Sequence, residues 1–344
     1  MEMSQSWAVR RTRADVSGYV AVALVALAVL IPFLSTDQKV YSITNQILIA
    51  VPAALSVYLM LRINLISFAV PAFMCIGGYA SAWCALNATT NLVVLTGVSF
   101  FLPMLIALPL GVLVLVLVLR GVYFVLVTYV LSEIVQLLLF EFSELTGGAN
   151  GLTGVPAPSF GSIDFMDNRS VLLIATGLAL IAVLIVWATL RAFRDPFDGI
   201  RENELLARSL GLVVWHYKAL AFCLAAGLAG LAGFSLVNML LMAHPSSFAA
   251  NNGVTYIAYA IIGGQGGMLG AIVGAGLLVW ATAFFSIGGE YSNGLFGLLV
   301  MIIVLVAPSG VAGVLGKIGE RLLAAVRSRG HGNLSGASPR EARE

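Results

Sequence analysis

The chain has 344 residues, of which 60% are hydrophobic and only 10% are charged, and its mean hydropathy is +1.00. An ordinary soluble domain carries about 25% charged residues, so the composition excludes one. The net charge of +2 gives no reason to expect a nucleic-acid partner.

Apolar runs of about 20 residues recur along the chain, and this length crosses the hydrocarbon core of a bilayer. The runs are continuous, unlike the alternating strands of a membrane β-barrel. We therefore expect an all-α polytopic membrane protein with about ten transmembrane helices. The eighth is short and polar at its start, which is typical of a broken or re-entrant helix. The expected spans are 18–34, 41–61, 67–86, 92–119, 122–140, 170–190, 214–243, 248–262, 268–285 and 295–307.

The basic residues predict the orientation of these spans. With a cytoplasmic N-terminus, 16 of the 18 basic residues lie on the cytoplasmic side, and only Lys39 and Arg169 lie outside. Such an excess is typical of cytoplasmic loops. Both termini are then cytoplasmic, with a short segment over 1–17, a transmembrane domain over 18–312 and a partly disordered polar tail over 313–344.

The fifth expected span carries an unusual set of polar residues. Thr128, Ser132 and Gln136 recur at intervals of four, and Glu133 flanks this stripe. An acid inside a membrane span is costly and usually faces a cavity or a partner. The stripe therefore indicates either the lining of a translocation path, a contact with a second subunit, or a hydrogen-bond network within one subunit.

The loop after the fifth span is rich in glycine and polar residues. Repeated glycines favour a defined backbone with special angles. We interpret the loop as an outer gate or a docking surface, with a flexible turn as the alternative. Its candidate residues are Thr146, Gly147, Gly148, Asn150, Gly151 and Thr153.

The cytoplasmic loop over 191–218 is the most charged segment between two spans. Asp198 is a plausible N-cap for a helix over 199–210, with Gly211 as its C-terminal stop. Glu204 and Arg208 are spaced for an i,i+4 ion pair. Such a helix either presents the loop to a soluble partner or is a solvated connector.

Several kinds of site are not expected. Gly316 and Lys317 do not form a phosphate loop, because Val311 and Ile318 replace the required glycine and serine or threonine. The histidines show no metal spacing, and no nucleophile and base set gathers on one side of the membrane. We expect no cofactor and no enzymatic activity.

Four stretches stand out in order along the chain, at 120–134, 145–156, 201–233 and 263–270. The third reads R-E-N-E-x-x-A-x-x-L-G, followed by Y-K-x-x-A-F and A-x-x-A-G-x-A-G. The second reads L-T-G-G-A-N-G-L-T-G-V-P, and the fourth reads G-G-Q-G-G-M-L-G. Together they resemble the permeases of branched-chain amino acid ABC importers, the LivM-like branch, over residues 64 to 313.

The resemblance implies a mechanism. Two permease subunits form the translocation path, and we expect this chain to pair with a sister permease as a heterodimer in the bacterial inner membrane. A periplasmic or extracellular solute-binding protein delivers the substrate, and two cytoplasmic ABC ATPases hydrolyse the ATP. Glu204, Ala207 and Gly211 fall on the family's coupling signature. The residues expected to couple to the ATPases are Arg201, Glu202, Glu204, Ala207, Arg208 and Gly211.

The chain departs from the family pattern before its third span. Residues 64–73 read N-L-I-S-F-A-V-P-A-F, so Val70 stands where the family has histidine, and Pro71 is new. Proline inside a span kinks it and frees a carbonyl. We place Ser67, Pro71 and Phe73 with Thr128, Ser132, Glu133 and Gln136 on the translocation path.

This departure keeps other functions open. The substrate of the chain can differ from leucine, isoleucine and valine. One alternative is a permease of the same superfamily for urea, an amide or a sugar. Another is a self-sufficient secondary transporter or channel, for which Glu133 is the one convincing intramembrane acid. A membrane scaffold without transport is the third.

Overall fold

The computed structural model describes residues 17–31, 37–116, 121–160, 163–165, 167–264 and 267–285, together with 297, 301 and 310. These residues are largely helical, with one short antiparallel hairpin of β1 (Ser159–Phe160) and β2 (Ile163–Asp164). The helices are α1 (Ser17–Leu30), α2 (Gln38–Leu61), α3 (Val70–Asn87), α4 (Leu92–Val116), α5 (Val122–Glu141), α6 (Ser143–Thr146), α7 (Asn168–Ala192), α8 (Arg194–Glu202), α9 (Glu204–Ser209), α10 (Val214–Leu240), α11 (Asn252–Gly263) and α12 (Met268–Phe285).

Five of these helices are long and apolar enough to cross a membrane, namely α2, α4, α5, α7 and α10. They coincide with the second, fourth, fifth, sixth and seventh expected spans. The shorter apolar helices α1 and α12 fall on the first and ninth. The full count of ten stays a prediction, because residues 295–307 lie outside the described residues apart from Gly297 and Met301. The segment 1–16 and the tail 313–344 also lie outside them.

The eighth expected span is a broken element. A 3-10 turn over Pro245–Phe248 leads into α11, which has 12 residues. At 1.5 Å per residue this helix is about 18 Å long, well short of the hydrocarbon thickness. It packs against α12, α2 and α3, so its short length is compensated by contacts with longer helices.

Helix α10 is the central element of the bundle. It packs against α2, α3, α4 and α7. It is rich in alanine and glycine, and Gly227, Gly230 and Gly233 are buried. Small residues allow transmembrane helices to approach closely. The composition of α10 therefore fits a helix that is surrounded by protein on most sides. A helix that faces lipid would carry larger side chains.

The glycines of α10 mark the places where backbones meet. A methyl group at Gly230 would overlap the carbonyl oxygen of Ser99 in α4, and one at Gly233 would overlap that of Met74 in α3. In α3, Gly77 lies against Gly230 in the same way. The three helices can pack at this distance only because these positions carry no side chain.

A second close contact joins α11 to α12. Methyl groups at Gly263, Gly270 and Gly274 would each overlap backbone atoms of the facing helix or of the turn between them. Gly270 and Gly274 therefore form the face of α12 that packs against α11 and the turn between the two helices.

The glycine contacts lead to a stability prediction. Replacing Gly230 with alanine should lower the free energy of unfolding by about 1–3 kcal/mol, the usual cost of overpacking a tight core. Gly177→Ala in α7 is the matched control, because nothing lies within 4 Å of a methyl group there. Thermal unfolding in detergent measures both, and equal midpoints for the two variants would contradict this view of the packing.

Candidate functional site

The charged segment between α7 and α10 forms two helices, where the sequence predicted one. Asp198 lies inside α8 and is not an N-cap, so that prediction is wrong. The break falls at Asn203, whose extended backbone interrupts the helix and whose side chain accepts a hydrogen bond from the Leu206 amide at 3.1 Å. Asparagine is a strong N-cap residue, and Glu204 directly after it suits the positive end of α9.

The end of α9 agrees with the sequence. The helix stops at Ser209, and Gly211 follows with a φ of +90°. A glycine in this conformation just after a helix is a common terminator. The predicted C-terminal stop is therefore confirmed, and the chain turns here into the start of α10.

The two helices are packed onto the bundle. Phe197 and Ile200 of α8 and Ala207 of α9 are buried. Phe193 stacks on Phe197, with ring centroids 6.2 Å apart, and makes an edge contact with Tyr217 of α10. A solvated connector would not bury these side chains, so the packing favours a segment of defined position.

Ion pairs join the segment to the C-terminal end of α2 and the N-terminal end of α10. Asp198 pairs with Arg62, which follows α2, and lies 3.8 Å from Arg194. Glu204 bridges two cations, at 2.7 Å from Arg208 and 2.9 Å from Lys218 of α10. The predicted pairing of Glu204 with Arg208 is confirmed. The contacts with Lys218 and Arg62 were not predicted, because their partners are 14 and 136 positions away.

Three exposed leucines lie on α9 and just after its end. Leu205, Leu206 and Leu210 have exposed fractions of 69%, 56% and 76%. We call these three residues the leucine patch. Glu202 and Arg208 beside it are also exposed, and Arg201 is partly exposed. An ordinary amphipathic surface helix buries its leucines against the protein. Here the three leucines are exposed instead.

A second group of predicted residues lies where α5 meets the irregular segment before α3. The amide of Phe68 donates to the Thr128 hydroxyl at 3.0 Å, and the Ser132 hydroxyl donates to the Phe68 carbonyl at 2.8 Å. The backbone here is not helical. Non-helical backbone at membrane depth needs such partners. Thr128 and Ser132 thus form the internal hydrogen-bond network that was one of the three interpretations.

The predicted residues of the third span have different surroundings from those expected. Helix α3 begins at Val70, so Pro71 occupies its first turn and does not kink a span. Proline is tolerated at this position because its missing N–H would have no helical acceptor. Ser67 is buried, and its hydroxyl accepts from the Ala69 amide at 3.2 Å. Phe73 is also buried and packs edge-on against Phe222 at 5.5 Å.

Glu133 and Gln136 are separated from this network. Both are partly exposed on α5, a helix that is largely unburied within the subunit. Tyr129 lies one turn before Glu133 on the same helix and is also partly exposed. The polar stripe therefore divides into two hydroxyls that hold Phe68 and a polar group, formed by Tyr129, Glu133 and Gln136, on the open side of α5.

The glycine-rich outer loop has a defined conformation. Gly147, Gly148 and Gly151 all have positive φ values. The Thr146 hydroxyl lies 2.9 Å from the Phe142 carbonyl and accepts from the Gly148 amide at 3.2 Å. Asn150 and Thr153 are exposed. The loop thus presents polar side chains on a fixed backbone, as the defined-structure interpretation expected.

This loop is joined to the C-terminal end of α10. Leu152 and Ala243 exchange two backbone hydrogen bonds of 2.9 Å, and the Val155 amide donates to the Leu241 carbonyl at 3.1 Å. A methyl group at Gly151 would overlap the Ala243 carbonyl oxygen. The loop after α5 and the turn after α10 therefore form one unit.

Sequence reasoning missed several buried polar groups. Within the described residues, Asn45, Tyr79, Ser235 and Asn238 each bury a side-chain oxygen that has no hydrogen-bond partner. The signal was available, since each polar residue interrupts an apolar run. Among the described residues no cluster of potential metal ligands occurs.

The hydroxyl contacts of α5 lead to a second stability prediction. Thr128→Val keeps the side-chain shape but leaves the partly buried Phe68 amide without its acceptor, which should cost about 1–3 kcal/mol of unfolding free energy. Thr176→Val in α7 is the matched control, because the Thr176 hydroxyl only donates within its own helix, to Leu172 at 2.8 Å. Thermal unfolding in detergent should separate the two variants. Equal losses would mean that the contact with Phe68 contributes nothing.

Comparison with known proteins identifies the family. The chain is 30% identical over 221 residues to the high-affinity branched-chain amino acid transport system permease protein LivM of Salmonella typhimurium, covering 57% of this chain and 52% of the relative. The LivM protein of Escherichia coli K12 matches with the same identity and coverage. The chain thus spans about half the length of the curated relatives it matches. No solved structure matches it significantly.

The family model described as branched-chain amino acid transport system, permease component, matches residues 40–307, which is most of the chain. This range includes all four stretches on which the resemblance rested, so the resemblance is confirmed. The chain belongs to the family of permease components of branched-chain amino acid transport systems.

Proposed function

We propose that this chain is a transmembrane subunit of an ABC importer that moves branched-chain or other hydrophobic amino acids into the cytoplasm. The observation that carries the proposal is the pair of helices α8 and α9, which are packed against the bundle yet expose the leucine patch. An exposed apolar surface on a firmly held element is typical of a protein docking site. The family membership supplies the kind of partner, a cytoplasmic ABC ATPase.

The energetics of the leucine patch support a protein partner. Burying a leucine side chain contributes about 1.5–3 kcal/mol, so three leucines supply a large part of a stable interface. Arg201, Glu202 and Arg208 surround the patch with charges that can fix its orientation in the partner's cleft. Closure of two ATPases on ATP would then move the inner ends of the spans and change the access of the path.

The translocation path is proposed along the open side of α5. An ionised carboxylate facing lipid is costly, so Glu133 and Gln136 are better placed against a sister permease or a polar path between the two subunits. Thr128, Ser132 and Ser67 act indirectly, because their hydroxyls hydrogen-bond the backbone at and next to Phe68 and so fix the segment packed against α5. Pro71 and Phe73 would not line the path themselves. They fix the start of α3, which lies next to it.

The outer loop is proposed as the docking surface of a solute-binding protein. Thr146, Gly147, Gly148 and Gly151 set its backbone, and Asn150 and Thr153 offer exposed polar side chains. Glu141 and Glu144 are exposed nearby and can attract basic residues of a partner. In this arrangement the bacterial inner membrane separates substrate delivery from ATP hydrolysis.

The docking proposal predicts the effect of placing charges on the leucine patch. Leu205→Glu combined with Leu210→Glu should weaken ATPase binding about 100-fold, because the burial of two leucines, ~3 kcal/mol, is lost. Co-purification of the ATPases with the tagged permease measures this. Leu145→Glu, at an exposed leucine of the outer loop, is the control and should retain them. Undiminished ATPase binding by the double variant would rule out docking at the patch.

The transport function is tested with the complete complex in proteoliposomes. We expect uptake of leucine, isoleucine or valine that requires the binding protein and internal ATP. Uptake driven by a proton or sodium gradient without ATP would instead establish a secondary transporter. ATP-driven uptake of urea, an amide or a sugar, with no amino-acid uptake, would assign another solute, which the sequence at Val70 and Pro71 leaves open.

A further inference from the structure

We infer that Glu204 is a positioning residue that acts within this subunit, through Lys218, and not a direct contact to the ATPase. The inference rests on the proposed function, since it concerns how motion of the docking helices reaches the spans. It reassigns a residue that the resemblance alone places among those that dock into the ATPase.

The geometry of Glu204 carries this inference. Its two carboxylate oxygens are each used inside the chain, one at 2.7 Å from Arg208 and the other at 2.9 Å from Lys218. The side chain is only 25% exposed, and the exposed fraction of the Lys218 side chain is 10%. The neighbouring leucine patch points outward. Glu204 and the leucine patch therefore face in different directions.

Lys218 needs a carboxylate at this place. It lies near the N-terminus of α10, where the helix dipole disfavours a positive charge, and it is largely withdrawn from water. A buried ammonium group is stable only when it is paired. Within the described residues, Glu204 is the carboxylate that forms an ion pair with it. The pair consequently fixes the start of α9 to the start of α10.

A second pair ties the neighbouring helix to a different span. Asp198 of α8 holds Arg62, which follows directly after α2. Helices α2 and α10 are the two most buried of the five long apolar helices. The two ion pairs thus connect α8 and α9 to the two spans at the centre of the bundle, and a displacement of the docking helices is passed to both.

The experiment exchanges the two charges in the complete transporter. Glu204→Gln and Lys218→Met should each reduce uptake about tenfold. The double variant Glu204→Lys with Lys218→Glu should recover part of it, because the exchange restores the ion pair between these two positions but not the pair with Arg208. The function-specific measurement is substrate transported per ATP hydrolysed. In Glu204→Gln this ratio should fall while the ATPases remain bound and active.

Asp195→Asn is the matched control, because Asp195 is exposed in α8 and the substitution removes the same charge from the same segment. It should leave uptake and the transport ratio unchanged. Thermal unfolding of the single variants and of the exchanged pair shows in addition whether the two residues interact in the isolated permease.

Two outcomes would overturn the inference. One is loss of bound ATPase in Glu204→Gln but not in Lys218→Met, which would make Glu204 a direct contact. The other is additive losses without recovery in the exchanged variant. These results differ from a failure of the proposed function, in which the unaltered complex itself shows no ATP-dependent uptake and the leucine patch variant binds as the parent does.

Discussion

The close approach of α10 to its neighbours is the contact on which the rest of the structure depends. Gly230 and Gly233 bring its backbone against Ser99 of α4 and Met74 of α3. On α3, Gly77 lies directly against Gly230. Helices in a bilayer gain little from hydrophobic burial against each other, so their association relies on such tight packing. Once α10 is held here, its N-terminal end positions α9 and its C-terminal end positions the loop at Leu152.

Backbone that leaves the helical conformation inside the bundle imposes a second constraint. The segment before α3 has polar groups that helices would satisfy internally, and it uses Thr128 and Ser132 of α5 instead. This explains why two of the polar residues on an apolar span point inward. Their function is to make an irregular turn possible, and Glu133 and Gln136 remain available on the open side.

The sequence alone predicted correctly those features that depend on local composition. Runs of apolar residues located α2, α4, α5, α7 and α10, and Gly211 marked the end of α9, because these signals act over one helix. It failed where two similar signals competed: Asp198 and Asn203 are both good caps, and tertiary packing of Phe197 and Ile200 extends the first helix past Asp198.

Contacts between distant parts of the chain were beyond such reasoning. The pairs of Arg62 with Asp198 and of Lys218 with Glu204 require the helices to be assembled before the charges meet. The same is true of Pro71, whose effect depends on where α3 starts. The charge pattern yields a prediction for the side of the membrane on which the segment lies. It gives no information on which face of α9 is exposed.

The two backbone hydrogen bonds between Leu152 and Ala243 have a consequence for how the two ends of α10 are connected. Helix α10 has 27 residues and is about 40 Å long at 1.5 Å per residue. One end is hydrogen-bonded to the glycine-rich loop and the other is paired through Lys218 with Glu204 of α9. A force applied at one end of this helix therefore reaches the other end without a separate relay.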